Sequence, residues 1–383
     1  MKIIFLEAVQ DMGGARKSTI ELAKRLKLLG HDILIVDFWG CNKPFVNDVH
    51  NAQLELKVLE NRDKPFVISS NSKVKHLKNI CKYFFLERKY KKEFNKIVRD
   101  FKPDIVNVNN IKCLNILSTK SSYRIDFFAR SWFDYKSLSY FDKKLFKKFK
   151  PYFLTVSQAT RQAIYTGGIG ELKNIVVLNS VIETKIFNNY NPDYKTFNNN
   201  NPINILFSGG FLKTKGHHTC VEIAIQLKKL DIPFKMYLTG SIYTGESSKK
   251  YHSAILNFIT KNDLLNYVEV VLNPSNIMDY FKECDILIHP SSTEGLPRVC
   301  LEALSFGKPV IANPVGGVTD VVIHNLTGFI TDFNAIEQYV EYIIRYIKFP
   351  ELYKIHSVAA RQLIKQNYLD NNQFENIKRI YPI

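Results

Sequence analysis

The sequence predicts a doubly wound α/β protein made of two Rossmann-like domains. Short apolar runs alternate with helix-length segments along most of the chain. Most of those runs are too continuously apolar for a sheet wet on one face and suit parallel strands covered on both. The alternation breaks once, in a segment rich in Asn and Pro, and then restarts with a strand and a glycine turn. A length of 383 residues fits this reading, because a single domain usually takes ~100–200.

In the first half the strand candidates are Lys2–Leu6, Ile33–Phe38, Ile105–Val108, Ile125–Ala129, Phe153–Val156 and Ile175–Leu178. In the second half they are Ile205–Ser208, Lys235–Thr239, Val268–Leu272, Ile286–Ile288, Val310–Ala312 and Phe329–Thr331. Segments such as Ser18–Leu29 and Thr219–Leu230 supply the intervening helices, and from Ala335 onward the chain reads as helix throughout. The break is NNYNPDYKTFNNNNP, nearly free of aliphatic residues and too long for an ordinary connection. The expected domains are therefore 1–187 and 203–365, joined by a linker at 188–202, with 366–383 a C-terminal helix crossing back to the first domain.

Hydrophobic residues at 45% and charged residues at 23% exclude a disordered chain. The formal net charge of +17 concerns partners and not fold: nucleic acid, an anionic membrane surface or phosphorylated substrates. The six cysteines lie far apart without a C-x-x-C pair, which argues against a zinc site or disulfide framework and for a reducing compartment. The apolar start MKIIFLEAVQDMGG is too short for a secretory signal, and no run approaches the ~20 apolar residues of a membrane span. A cytoplasmic protein is expected, peripheral on the inner face of the cell membrane. Lysines and aromatics interleave over Lys82–Lys102 and Lys143–Lys150, as in segments lying on a membrane surface, and Lys143, Lys144, Lys147 and Lys148 form the candidate patch. Packed helices with solvated lysine faces are the plainer reading of the same pattern.

The most specific signal is His289-Pro290-Ser291-Ser292-Thr293-Glu294-Gly295-Leu296-Pro297-Arg298-Val299-Cys300-Leu301-Glu302-Ala303. A buried strand ends in a polar loop, and Pro297 stands where a helix should begin. Free backbone N–H groups at such a helix start suit a diphosphate. Glu294 in the loop and Glu302 in the helix can each accept hydrogen bonds from a different hydroxyl-bearing part of one ligand. A second segment, Phe207-Ser208-Gly209-Gly210-Phe211-Leu212-Lys213-Thr214-Lys215-Gly216, is a strand, a glycine turn and a lysine before a new helix.

The run Pro290, Ser291, Glu294, Gly295, Pro297, Glu302, Ala303, Gly307, Pro309, Val310, then Gly316, Gly317 and Asp320, with Gly328-Phe329 beyond, resembles the donor site of retaining family-4 glycosyltransferases (group 1) of the GT-B fold. The resemblance implies two Rossmann-like domains facing across a cleft whose closure positions the donor and excludes water. It implies Glu294 on hydroxyls of the donor sugar, Glu302 on the nucleotide ribose, and N–H groups around Gly295, Leu296, Pro297 and Val299 along the sugar-diphosphate. Gly209 and Lys215 match the phosphate turn. Gly210 stands where the family usually carries Arg, and Lys213 is the candidate to replace that charge. A lysine and a helix N-terminus at a departing diphosphate stabilise the transition state more than the ground state. No metal is then required, no isolated D-x-D loop is seen, and no cofactor is expected beyond the nucleotide-sugar, a UDP-sugar before a GDP-sugar.

The first half matches more loosely, in Gly13-Gly14, Leu22-Ala23, Gly30-His31-Asp32 and Lys102-Pro103-Asp104. Gly14 joins the donor-binding candidates, because a glycine turn lets a ligand approach the backbone. Where family members often carry His near the ends of the fourth and fifth strands, this chain has Asn107, Asn109, Arg130 and Ser131. The acceptor-side candidates are Gly13, Asn109, Arg130 and Ser131. The expected activity is transfer of a hexosyl or N-acetylhexosaminyl unit to a lipid-linked saccharide, or to a lipopolysaccharide or capsule precursor in a bacterium.

Other readings stay open at this stage. Gly13-Gly14-Ala15-Arg16-Lys17-Ser18-Thr19 looks like a phosphate-binding loop of a nucleoside-triphosphatase, but Arg16 stands where that loop needs a glycine and Asp11 where it needs its first. Nucleic-acid binding lacks a zinc-finger pattern, an RNP-like run or a compact basic domain. A non-catalytic nucleotide- or glycan-binding protein on the same fold is the main alternative.

Overall fold

The computed structural model describes all residues except 12–13, 67–71, 132–137, 195, 244 and 383. The chain divides into two compact units, Met1–Val156 with Thr160–Leu178 and Glu375–Ile383, and Ser157–Ala159 with Asn179–Phe374.

The first unit is a seven-stranded parallel sheet. Its strands are β1 (Lys2–Glu7), β2 (Asp32–Asp37), β3 (Glu55–Val58), β4 (Ile105–Val108), β5 (Arg124–Ala129), β6 (Tyr152–Thr155) and β7 (Ile175–Val177), in the order β3-β2-β1-β4-β5-β6-β7. Ile3, Ile4, Leu34, Ile35, Val106 and Leu154 are buried, as strands covered on both faces require. Strand β3 (ELKV) has no counterpart among the sequence-derived strands. It is the sheet's edge, with Glu55 exposed and the other three residues half-buried, so it never acquires the apolar run of a central strand. The helix Lys73–Phe101 starts earlier than the basic segment suggested. It is anchored by buried Tyr90, whose hydroxyl accepts from Trp39 Nε1 at 3.1 Å and donates to Glu60 at 2.9 Å.

The second unit is a six-stranded sheet of β8 (Ile203–Ser208), β9 (Phe234–Gly240), β10 (Val268–Leu272), β11 (Ile286–His289), β12 (Val310–Ala312) and β13 (Gly328–Ile330), in the order β10-β9-β8-β11-β12-β13. All its pairings are parallel. Helices Ile336–Lys348 and Pro350–Asn367 follow, and Tyr339, Ile343, Tyr346 and Tyr353 bury themselves in this unit's core. The Asn-rich segment packs on the second unit: Tyr190 meets Phe306 edge-on at 4.9 Å, and Phe197 meets Tyr353 at 5.7 Å. The boundary between the units falls accordingly at Leu178/Asn179, before the composition break at 188–202. The last residues, from Glu375, count with the first unit, where buried Tyr381 accepts from Asn107 at 3.2 Å.

Both sheets reverse direction of growth at one place, between β1 and β4 in the first and between β8 and β11 in the second. Crevices outside the carboxyl ends of strands at such a switch point are where doubly wound sheets take ligands.

Candidate functional site

At the second switch point two loops are sewn together. The turn Lys213–Lys215 follows β8, and the loop of Pro290, Ser291 and Ser292 follows β11. The Thr214 carbonyl accepts from Ser292 N at 2.8 Å and from the Ser291 hydroxyl at 3.1 Å. Gly216 makes this approach possible: its φ is +88°, and a Cβ there would lie 2.4 Å from the Pro290 carbonyl oxygen. Asn313 holds the second loop from below. It donates to Ser291 O at 3.2 Å and accepts from Tyr339 OH at 3.0 Å.

The stitching brings together two residues far apart in sequence. Lys215 Nζ lies 2.7 Å from Glu294 Oε1. On the same oxygen sits His289 Nε2, at 3.1 Å. Burial alone would raise the Glu294 carboxyl, but the His289 hydrogen bond and the Lys215 charge outweigh it and hold the group at about 2. An ionised carboxylate only accepts, so His289 donates from Nε2, and among the described residues its buried Nδ1 has no hydrogen-bond partner. A carboxylate that acidic is a poor general base near neutral pH. Its use is to accept hydrogen bonds, and among the described residues nothing occupies Oε2.

The helix Arg298–Ser305 begins after Pro297 without a side-chain cap. Among the described residues the Leu296 and Val299 N–H groups meet no protein acceptor, which leaves donors facing the loop. Gly295 O accepts from Gly317 N at 2.8 Å, and a Cβ on Gly317 would reach that oxygen at 2.2 Å, so the second glycine pair braces the Glu294 loop. Glu302 is half-buried on the helix, 3.7 Å from Arg298. Both Glu294 and Glu302 add to the burial that pushes the Cys300 thiol well up.

Gly209 lies against Gly240, where a Cβ would sit 1.9 Å from the Gly209 carbonyl oxygen. The departure at Gly210 has a physical reason: a Cβ there would meet the Tyr243 ring at 2.5 to 2.7 Å, so the phenol fills the space that a side chain at 210 would need. Lys213 is exposed, and no described contact ties it to Glu294. His289, Asn313 and Tyr243 were not among the sequence candidates. His289 had a signal, its place at the carboxyl end of the strand beside the switch point.

The first unit carries the other candidates. Asn109 Nδ2 donates to Glu7 Oε1 at 2.7 Å, and Thr19 Oγ1 donates to the same oxygen at 3.0 Å. Arg16 Nε stands 3.4 Å from Glu7 Oε2 without hydrogen-bond geometry. Arg130 follows β5, Ser131 is exposed, and Gly14 opens the helix Gly14–Leu28. Gly13 lies outside the described residues. Glu7 and Thr19 escaped the sequence reading, because an acid closing a buried strand looks like a strand end. In the helix Tyr140–Phe149, Lys144, Lys147 and Lys148 are exposed and Lys143 is half-buried. Among the described residues no group of three or more His, Cys, Asp or Glu could hold a metal, and no helix is long and apolar enough to cross a membrane.

Two doubly wound parallel sheets in one chain match the GT-B fold. Residues 193–363 match the family model described as glycosyl transferases group 1. An uncharacterized glycosyltransferase of Haemophilus influenzae is 25% identical over 95% of each chain. One of Methanocaldococcus jannaschii is 32% identical over 42% of this chain, which spans only 43% of that relative's length. Among solved structures, Anabaena Alr3699/HepE in complex with UDP and glucose superimposes with a TM-score of 0.79 at 18% identity, over 99% of each chain.

Proposed function

We propose that the protein is a retaining, metal-independent glycosyltransferase that moves a hexosyl or N-acetylhexosaminyl unit from a UDP-sugar to a lipid-linked saccharide, or to a lipopolysaccharide or capsule precursor. The observation that carries the donor half is the Lys215–Glu294–His289 cluster, in which one carboxylate oxygen is pinned and the other is open. Glu294 Oε2 accepts from hydroxyls of the donor sugar, and Glu302 accepts from the ribose. The N–H groups of Leu296 and Val299 with the Lys215 ammonium take up the charge that builds on the diphosphate as the glycosidic bond breaks. Sugar hydroxyls and diphosphate then share a site whose charges were fixed before the ligand arrived, at no reorganisation cost. The UDP held by the Anabaena structure supports uridine as the base.

The acceptor half rests on surface chemistry. The helix Lys73–Phe101 exposes Val74, Leu77, Phe84 and Phe85 beside a lysine-rich sequence, and the helix Tyr140–Phe149 exposes Tyr140, Phe141 and three lysines. Apolar side chains flanked by lysine suit an anionic membrane on the cytoplasmic side.

A thermal-shift panel with UDP, GDP, CMP, ADP and ATP, with and without Mg²⁺, tests the donor half. Metal-independent stabilisation by UDP is expected, and a ligand at ~100 times its Kd adds ~2.7 kcal/mol. The Glu302→Ala variant should lose that response. Silence toward all five nucleotides would leave the non-catalytic alternative standing. Neutralising Lys143, Lys144, Lys147 and Lys148 together should weaken binding to vesicles containing anionic lipid and spare UDP binding; unchanged vesicle binding removes the patch.

A further inference from the structure

Open parallel sheets cover their faces with helices but keep two edges each, and an edge strand presents a row of backbone N–H and C=O groups. The two sheets here end in β3, β7, β10 and β13. Three of these edges are blunted. Strands β7 and β13 are three residues long, and β3 carries Glu55 and Lys57 among its four. Strand β10 is different: it is the longest of the four, it reads VEVVL, and Glu269 is its one charge.

The register shows which groups β10 turns outward. Met236 N donates to Tyr267 O at 2.8 Å and Asn273 N to Gly240 O at 2.9 Å, so residues 267, 269, 271 and 273 turn their backbone groups toward β9. Val268, Val270 and Leu272 turn theirs away from it. The Val268 N–H is taken by Leu264 O at 2.8 Å, but among the described residues the N–H groups of Val270 and Leu272 meet no acceptor. The same three side chains share the face on which Met236 and Leu238 enter the core. Beside this edge lies a cavity of 470 Å³, walled by Leu256 and Ile259 of the helix Glu246–Lys261 and by Tyr267, Val268 and Val270. Leu256 and Leu265 of its lining are exposed at 39% and 68%, and Leu272, at the carboxyl end of the strand, at 41%.

We propose that β10 pairs with β10 of a second copy of this chain, antiparallel about a two-fold axis at Val270. A two-fold contact brings one patch against itself, so the edge must complement itself. It does so in backbone, shape and charge. Each Val270 exchanges N–H···O bonds with its counterpart, and each Leu272 N–H donates to a Val268 carbonyl across the axis. Directly opposed residues of an antiparallel pair share a face, so each Leu272 side chain arrives opposite Val268, beside the cavity. Glu269 falls opposite Val271, and no like charges are set face to face. A foreign strand would have to supply the matching leucine; a second copy already carries it. The pairing joins two six-stranded sheets into one continuous sheet. It uses no residue of the Lys215–Glu294–His289 cluster and does not depend on the donor reading.

Sedimentation equilibrium of the full chain tests this between about 1 and 100 μM, the range in which modest interfaces associate. The wild-type mass should rise with concentration from 44.4 kDa toward twice that value. Val270→Pro deletes an outward donor and no bond to β9, and Leu272→Lys sets a charge at an exposed place on the edge. Each should weaken association by about tenfold or more. Leu230→Lys, at an exposed leucine on another element, should follow the wild-type curve. Hydrogen exchange at the Val270 and Leu272 amides should slow as the wild-type concentration rises. A wild-type mass that stays at 44.4 kDa over the whole range overturns the proposal. So does a dimer that both edge variants retain, one that Leu230→Lys weakens as much as they do, or one that leaves exchange at these two amides unchanged. If circular dichroism shows Val270→Pro unfolded, Leu272→Lys and the exchange experiment decide.

Discussion

The two switch points are built from the same parts and balanced differently. Each sets a glutamate beside a cation where neighbouring strands of a parallel sheet part company. In the second unit, Lys215 and His289 converge on one oxygen of Glu294, and the positive and negative charges cancel within the cluster. In the first, Glu7 gives one oxygen to two neutral donors and meets Arg16 at 3.4 Å on the other, and among the described residues the Arg130 nitrogens have no hydrogen-bond partner. A cluster whose charges are paired in place offers a fixed acceptor oxygen. The difference lies in how completely the described neighbours of each carboxylate pair their charges.

The comparison breaks first at Gly216, if the second cluster does not depend on the stitched loops. Gly216→Val puts a branched side chain at a φ of +88° and within 2.4 Å of a backbone oxygen. The expected cost is about 4 kcal/mol of stability, the upper range for strain combined with overpacking. Urea unfolding measures it. A cost below about 1 kcal/mol would show that the loops reach their places without this turn.

Glu294 gives the next effect. Its folded value, about 2, lies below the ordinary 4.5, so the group stabilises the fold above pH ~4.5 and loses that contribution as pH falls toward 2. The shift corresponds to about 3 kcal/mol, to order of magnitude. The stability gap between wild type and Glu294→Gln should therefore shrink steadily between pH 5 and about pH 2. A gap that stays constant over that range would mean that Lys215 and His289 do not hold the charge. The same variant should lose about 10²-fold in turnover with UDP affinity little changed, because Gln keeps the shape and loses the charged acceptor. Full retained turnover would remove Glu294 from the reaction.

Much of this could be read in the residues. The alternation of apolar runs located every strand but β3, whose edge position lets it carry Glu55 and Lys57. The glycine and glutamate spacing from Pro290 to Asp320 located the loop that the structure braces with Gly317. What escaped was pairing across distance. Nothing local to His289 says that it shares an oxygen with Lys215, and nothing local to Arg130 says that its nitrogens meet no acceptor among the described residues. The segment 188–202 misled by composition, since three aromatics among many asparagines are enough to pack it on the second unit.

Gly210 gives the smallest effect and the finest test of why that turn carries no side chain at this position. The atoms that a Cβ at 210 would meet are the far end of the Tyr243 side chain, which can swing aside. Gly210→Ala should then cost about 1 kcal/mol or less, the low end for an added methyl in a packed place. In a Tyr243→Ala background the cost should vanish, because the obstacle has gone. Urea unfolding of the two single variants and the double variant gives the coupling directly. If Gly210→Ala costs the same in both backgrounds, the ring is not what excludes a side chain. If the costs differ as expected, the emptied background becomes the place to install Gly210→Arg. An arginine that raises UDP affinity there, but not beside Tyr243, would show that the phenol and the guanidinium compete for one space.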